Sequence, residues 1–137
     1  MLPKTHIIFG AIFSLIAYYF LSLDYLQSSL IFVSSFLIDF DHYMWYVNKK
    51  KDFSLKNSYY YLKKVRLNKP VMMIFHTIEF LFLVLLLSFL WNGFLFILIG
   101  MLFHSVLDII QMAYEGELEY REFFLTCYLL SEKSNYY

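Results

Sequence analysis

The sequence contains little cysteine and little charge, and each scarcity excludes a class of protein. The single cysteine, Cys127, excludes an intramolecular disulfide and a thiolate metal cluster, so any bound metal ion must use nitrogen and oxygen ligands. Only 16% of the 137 residues are charged, whereas 61% are hydrophobic and 23% are aromatic. One soluble core could not bury this much apolar surface. The composition therefore predicts a membrane protein.

Four apolar stretches follow one another, each long enough to cross a hydrocarbon layer of roughly 30 Å. They cover residues 6–23, 25–47, 70–91 and 94–114. The aromatic run from Tyr18 to Phe20 leads straight into the second stretch, unlike the small-residue cleavage site of a secretory signal. We expect an all-α, polytopic membrane bundle of about four transmembrane helices in a single domain, 1–137. The tail, 115–137, is expected to add an amphipathic or interfacial helix.

Basic residues predict the orientation, because short loops rich in Lys and Arg stay on the cytoplasmic side. The loop 48–69 holds eight Lys and Arg residues against one acid, Asp52. With four spans, this loop, Lys4 and the tail residues Arg121 and Lys133 all fall on one side. The sequence thus predicts a multi-pass protein of the inner or plasma membrane with both termini in the cytoplasm. Membrane lipids are expected partners, and a headgroup contact by the loop ranks below topology as the reason for its charge.

Ionisable residues inside such spans are costly and usually functional. Eight of them lie at matching depths, near the start of spans one and three and near the end of spans two and four: His6, Asp39, Asp41, His42, His76, Glu79, His104 and Asp108. In an up-and-down bundle they converge toward the side of the basic loop. His104 and Asp108 are four residues apart, and His76 and Glu79 are three apart, so each pair shares a helix face.

The four carboxylates in this set would cost about 12 kcal/mol together if left charged and unpaired at the bilayer centre. Two divalent cations would balance them, and protonated acids, His-carboxylate hydrogen bonds or water are the alternatives. All eight residues are candidate metal ligands, with Asp41 and Glu79 also the candidate catalytic groups. The predicted cofactor is two or more divalent ions, with zinc first and manganese or iron next. A lone membrane histidine more often only packs, but eight groups at one level argue against packing for the set.

Four motifs resemble the YdjM-like inner-membrane metal-dependent hydrolases. They are Thr5-His6, Asp39-Phe40-Asp41-His42, His76-Thr77 and the nine residues from Gly100 to Asp108. Two positions depart from the family: Ile38 stands where a Pro is frequent, and Met72 to Phe75 stand where the family has an Arg-containing segment. If that Arg contacts substrate, then Arg66 or Lys69 replaces it here, or the substrate differs, or activity is lost.

The resemblance implies a function, because the His-x-x-x-Asp pattern is similar to that of zinc-dependent phospholipase C and fungal single-strand nucleases. It implies hydrolysis of a phosphoester by metal-activated water, and a cytoplasm-facing site at membrane level favours a lipid-like substrate. Two rival functions stay open: a metal-ion or proton transporter, and a non-catalytic module pinned by metal. Haem binding is a weaker third alternative, because axial histidine ligands would not need so many acidic residues beside them. No specific nucleic acid is expected, and the oligomeric state is open.

Overall fold

In the computed structural model, residues 3–64, 72–116, 118 and 123–134 are described, and they are helical, with no strand among them. Seven α-helices occur in this part of the chain, and a 3₁₀ turn, Ile74–His76, precedes the fifth. Their bounds are α1 Pro3–Phe20, α2 Tyr25–Leu37, α3 Phe40–Lys50, α4 Leu55–Lys64, α5 Ile78–Leu87, α6 Gly93–Glu115 and α7 Leu125–Ser134. The all-α prediction is confirmed for these residues.

Helices α1, α2, α5 and α6 form a bundle in which α2 packs against both α1 and α6, and α5 packs against α6. Short connections join α1 to α2 and α5 to α6, as expected for antiparallel neighbours. The Asp24 side chain caps α2 by accepting from the Gln27 N–H at 2.8 Å. Ile38, Val84, Leu98 and Met101 form the buried apolar core between α2, α5 and α6.

The predicted second span, 25–47, is interrupted in the middle. Helix α2 ends at Leu37, and α3 begins at Phe40 after a turn in which Asp39 N–H donates to the Phe36 carbonyl and His42 N–H to the Asp39 carbonyl. These shorter-range bonds replace the regular helical ladder. The Asp39-Phe40-Asp41-His42 stretch therefore breaks the helix of the predicted span, and this break changes which side chains face the bundle.

Helix α6 is long and apolar enough to cross a bilayer, and it is the one such helix among the described residues. Its bounds agree with the predicted span 94–114. Helices α1 and α5 are also apolar but shorter. The predicted span 70–91 is only partly helical, since α5 starts at Ile78 after the 3₁₀ turn. The prediction of one continuous helix there is wrong for the described residues, because His76 and Thr77 leave the helical path and the Thr77 side chain caps α5.

The basic segment is more ordered than a loop, because α3 continues to Lys50 and α4 covers Leu55–Lys64. The two helices pack against each other and form what we call the basic hairpin, residues 40–64. Asp52 builds its turn by accepting hydrogen bonds from the Tyr46 hydroxyl, the Asn57 amide and the Ser54 N–H. Residues 65–69 of the predicted loop lie outside the described residues.

The turn of the basic hairpin is expected to weaken in acid. Hydrogen bonds from the Tyr46 hydroxyl, the Asn57 side chain and the Ser54 N–H lower the pKa of Asp52 below its ordinary value of 3.8. A depressed folded-state pKa adds stability above the ordinary value, and this stability is lost as pH falls through the folded-state pKa. The Ser54 amide resonance should titrate with a midpoint below 3.8 and lose this titration in Asp52→Asn. A midpoint at or above the ordinary value would contradict the arrangement.

Helix α7 confirms a helix in the predicted tail, but polar and apolar residues do not separate into two faces along it. Leu125 and Leu129 share one side and Thr126 and Leu130 another, and Leu129 and Leu130 are both exposed. The apolar residues over Leu125–Leu130 thus do not form a single face, and an interfacial position of this helix stays a prediction.

Candidate metal centre

The candidate metal centre lies at the end of the bundle where α1 begins and α2 ends. His6 comes from the second turn of α1, Asp39 from the turn after α2, His76 from the 3₁₀ turn, and His104 and Asp108 from α6. His6 and His104 are fully buried, and Asp108 and His76 are nearly so. Four separate parts of the sequence meet at one level, as the alternating directions of the apolar segments predicted.

His104 is held in one orientation by the backbone of α2. Its Nδ1 lies 2.8 Å from the Ser35 carbonyl oxygen. A carbonyl oxygen only accepts, so this Nδ1 carries the proton and donates it. The Nε2 lone pair of the neutral ring therefore points into the centre, where a metal ion would need it.

His76 is oriented in the same sense by Asp41. The His76 Nδ1 is 3.0 Å from Asp41 Oδ2, which also accepts from the Phe75 N–H at 3.1 Å. The Nδ1–H donates a hydrogen bond to the carboxylate, and the Nε2 atom faces the centre. Asp41 belongs to neither of the two groups whose ligand atoms lie within 4.8 Å of one another. Asp41 therefore contacts the outer nitrogen of a ligand histidine and is not itself among the ligand atoms. Carboxylates near metal ions are frequently found in this outer position.

The two Nε2 atoms of His76 and His104 lie only 3.2 Å apart. Because both rings donate from Nδ1, neither neutral ring has a proton to place between them. Two arrangements relieve this contact: one ring becomes an imidazolium paired with the nearby carboxylates, or both lone pairs bind one cation. The site can therefore hold either an extra proton or a metal ion at this point.

Carboxylate oxygens complete the set at similar separations. The Nε2 of His104 is 3.3 Å from Asp108 Oδ2 and 3.4 Å from Asp39 Oδ1, and the Nε2 of His76 is 3.6 Å from Asp108 Oδ2. Ligands at about 2.0–2.1 Å from a tetrahedral ion lie about 3.3 Å from each other. These histidines and aspartates are ion-paired with one another, and their atoms are also spaced as metal ligands are.

The candidate metal centre also contains buried polar atoms that have no hydrogen-bond partner. Asp39 Oδ2 and His6 Nδ1 are buried without a hydrogen bond. His6 Nε2 does lie 3.1 Å from Asp108 Oδ1, and its ring stacks on His104 with the centroids 3.8 Å apart. Buried polar atoms left without hydrogen bonds are rare in native proteins, and an ion is one of the groups that satisfies them. The residues present therefore fit a bound cation.

Two overlapping groups of potential ligands share Asp39. The first consists of His6, Asp39, His104 and Asp108, and the second of Asp39, His42 and His76. His42 Nδ1 is 2.9 Å from Asp41 Oδ1 and 3.5 Å from Asp39 Oδ1. With 32% of its side chain exposed, His42 lies at the open edge of an otherwise buried site.

Glu79, predicted as a ligand and as a catalytic group, lies at another contact. Its Oε2 accepts from the Leu125 N–H at 3.1 Å, and its Oε1 accepts from the Thr126 N–H and hydroxyl. The carboxylate thus caps the start of α7, next to an Ile78 N–H bond to the Phe123 carbonyl. Neither group of potential ligands includes Glu79. Its predicted role as ligand or base has no support from this placement.

Removing the Glu79 carboxylate should therefore free α7 without disturbing the metal centre. In Glu79→Ala, the Leu125 and Thr126 amides lose their acceptors, and we expect their hydrogen exchange to accelerate by roughly tenfold or more. Metal content per chain should stay at the native value. Hydrogen exchange of the peptide covering 123–130 measures the first effect, and slow native-like exchange there would contradict this role.

Asp41→Asn should weaken metal binding without abolishing it, because Asp41 orients His76 instead of binding the ion itself. Loss of such an outer carboxylate costs about 10- to 100-fold in metal affinity. A competitive titration with a chromophoric chelator measures this affinity, and the same number of ions should bind at saturation. A complete loss of bound metal would instead make Asp41 a ligand.

Sequence reasoning missed two backbone partners of the site, the Ser35 carbonyl and the Phe75 N–H. Every residue carries these groups, so composition and spacing give no signal for them. Ser34 and Ser35 gave a weak signal, as two small polar residues inside an apolar stretch. Ser34 lies against Gly100 of α6, and Ser35 lies against Gly10 of α1. No family model, curated protein or solved structure matches this chain.

Proposed function

We propose that this chain is a membrane-embedded, metal-dependent hydrolase that acts on a phosphoester of lipid-like character. The observation that carries the proposal is the convergence of two oriented imidazole Nε2 atoms with the carboxylates of Asp39 and Asp108. The phosphoester class comes from the resemblance to the YdjM-like hydrolases, which stays a prediction.

The apolar exterior supports membrane placement. Helix α1 leaves Ile8, Ile12, Leu15 and Tyr19 exposed along one stripe, and α6 does the same with Leu102 and Val106. Exposed apolar surface of this extent is unusual on a soluble monomer. In our proposal α1, the α2–α3 segment, α5 with its preceding turn, and α6 are the four membrane segments. Both termini are then cytoplasmic, and so is the candidate metal centre.

Zinc is the proposed metal, because neutral imidazole and carboxylate ligands suit it, with manganese or iron as alternatives. The two ligand groups that share Asp39 favour two ions. When bound, such ions would polarise a phosphoester and lower the pKa of a water ligand to near neutrality. His6, Asp39, His104 and Asp108 would hold one ion, and Asp39, His42 and His76 would contribute to a second.

The chain itself orients the ligands and keeps bulk water away from them. Asp41 and the Ser35 carbonyl fix the rings of His76 and His104, so their lone pairs need no rearrangement before binding. Burial of His6, His104 and Asp108 excludes bulk water on the bundle side. His42, at the exposed edge and hydrogen-bonded to Asp41, is the ligand residue that substrate would reach first.

The other end of the bundle argues against transport. A transporter needs ionisable groups on both sides of the membrane. Asp24, the acid near that end, is used to cap α2. The cavity of about 230 Å³ at that end has no polar lining, its walls being Phe13, Ile16, Ala17, Phe20, Leu21, Leu23, Ile31, Phe96 and Ile99.

A non-catalytic, metal-stabilised module is the second candidate, and the deep burial of His6, His104 and Asp108 favours it. The two candidates share the metal centre and differ in turnover. In a purely structural site the metal ligands fill the coordination shell, whereas catalysis requires a position that substrate can reach. The partial exposure of His42 is the feature that favours catalysis.

The test is metal content and hydrolysis measured on the same detergent-purified, full-length protein. Plasma mass spectrometry gives the metal per chain, and a chromogenic phosphodiester and a phospholipid in mixed micelles serve as substrates. We expect one or two ions per chain and turnover that stops with a chelator and returns with zinc.

Bound metal without turnover of either substrate, together with a higher unfolding temperature in the loaded protein, would favour the structural module. No bound metal, even after reconstitution with zinc or manganese, would overturn both candidates. The cluster would then be held by protons and His-carboxylate ion pairs alone.

A further inference from the structure

The basic hairpin presents a surface that the metal centre does not use. It consists of Phe53, Leu55, Lys56, Tyr60, Lys63 and Lys64, all exposed, and we call it the hairpin surface. Lys56, Tyr60 and Lys63 are spaced by four and three residues along α4, so they share one helix face. Cationic and apolar side chains are thus mixed on the same exposed side of one short helix.

The charge of this hairpin is strongly one-sided. Residues 48–64 include six lysines and one acid, Asp52. The Asp52 carboxylate is turned inward, toward the Tyr46 hydroxyl, the Asn57 amide and the Ser54 N–H. Within residues 48–64, the one acid near the lysines of α4 is therefore used by the turn of the hairpin.

Aromatic rings lie directly beneath two further lysines. The Lys49 Nζ is 4.5 Å from the centre of the Trp45 ring, and the Lys50 Nζ is 4.9 Å from the centre of the Tyr61 ring. Trp and Tyr rings prefer the boundary between hydrocarbon and water, and lysine stems can lie along such a surface while the charge stays in water. The chemistry of the hairpin matches that boundary.

We propose that the hairpin surface lies on the membrane and binds the headgroups of anionic phospholipids. Charge complementarity selects the anionic lipid, and exposed Phe53 and Leu55 select a bilayer over a nucleic acid, which offers no hydrocarbon. The position of the hairpin relative to the bundle follows from the chain, because α3 begins at Phe40, directly after Asp39 of the metal centre. The inference requires a membrane-embedded bundle but no catalysis, and so goes beyond the proposed hydrolysis.

The test uses full-length protein carrying Trp91→Phe, which leaves Trp45 as the single tryptophan. It is reconstituted in phosphatidylcholine vesicles containing phosphatidylglycerol, with bromine labels on one lipid or the other at equal mole fraction. We expect brominated phosphatidylglycerol to quench Trp45 more strongly, and the difference to shrink as salt is raised.

Lys63→Gln with Lys64→Gln should lower this preference severalfold, since two headgroup contacts are removed while both cation–π pairs remain. Lys4→Gln with Lys133→Gln removes the same charge elsewhere and should leave the preference intact. Equal quenching by both lipids, or equal effects of the two double variants, would overturn the proposal. So would a Trp45 response to single-stranded RNA that needs Lys63 and Lys64 without any lipid preference. None of these readouts depends on hydrolysis.

Discussion

Asp108→Asn is expected to abolish metal binding and, with it, all metal-dependent turnover. Asp108 contacts three histidines: Oδ1 lies 3.1 Å from His6 Nε2, and Oδ2 lies 3.3 Å from His104 Nε2 and 3.6 Å from His76 Nε2. Asparagine preserves the shape but removes the negative charge and turns an N–H₂ group toward the ring nitrogens. We expect metal affinity to fall by more than the roughly 100-fold that loss of an outer partner can cost.

Plasma mass spectrometry of the purified variant measures the loss, and circular dichroism checks that the helices remain. Glu79→Gln is the matched control, because it also converts a carboxylate to an amide, but at the α7 contact instead of the metal centre. Its metal content should equal that of the native chain. Native metal content and turnover in Asp108→Asn would show that Asp108 is not a metal ligand. The contribution of α6 to the metal centre would then be limited to His104.

The meeting of His6, Asp39, His104 and Asp108 could be predicted because it depends only on depth and spacing. Consecutive apolar helices alternate in direction, so the start of one and the end of the next share a level. In a membrane, ionisable groups at matching depths must then pair with one another, since hydrocarbon contains no hydrogen-bond partner for them. Metal binding and hydrolysis by these residues stay predictions. The short distances between their ligand atoms, and the buried polar atoms without hydrogen bonds, support metal binding.

The distinct places of Asp39, Asp41 and Glu79 could not be predicted. In an ideal helix Asp39 and Asp41 point to different sides, but the turn between α2 and α3 brings Asp39 to His104 and Asp41 to His76. Glu79 shares a helical spacing with His76 only if one helix continues through both, and the 3₁₀ turn ends before Thr77. The partner of Glu79 lies 46 residues along the chain, beyond the reach of any local pattern.

The sequence predicted helix bounds correctly where an apolar run alone determines them, and it failed where contacts between distant residues determine whether a segment is helical. Helix α6 begins and ends within one residue of the predicted 94–114 because its apolar run is unbroken and Gly116 ends it in the left-handed conformation, with φ of 71°. The basic segment was predicted as a loop from its charge. Its helices are stabilised by packing of Trp45 and Tyr46 against Tyr61, a contact between residues far apart in sequence.

Gly100→Ala should destabilise the bundle and displace the metal centre together. A Cβ at Gly100 would overlap the Ile31 carbonyl oxygen and the Ser34 hydroxyl of α2. The carbonyl belongs to a helix backbone and cannot rotate away, so α2 and α6 must separate. Overpacking of this kind costs about 1–3 kcal/mol, partly offset by about 1 kcal/mol from the better helix propensity of alanine. Gly100 lies one turn before His104, so the same separation draws the Ser35 carbonyl away from His104 Nδ1.

Gly10→Ala is the matched comparison, because the atoms nearest to the added methyl group at Gly10 belong to side chains, first the Ser35 hydroxyl and then the Ser35 Cβ at 3.1 Å. The hydroxyl can change rotamer at the cost of its hydrogen bond to the Phe32 carbonyl, and the Ser35 Cβ needs to shift only by a few tenths of an ångström. The cost should therefore be smaller than at Gly100, and the gain in helix propensity should offset part of it. Thermal unfolding in detergent and metal affinity should therefore both fall in Gly100→Ala and both stay closer to native in Gly10→Ala. Equal effects of the two substitutions would mean that α2 and α6 can adjust freely. The orientation of His104 would then not depend on their close approach, and the preorganised lone pair on which the proposed metal centre relies would need another source.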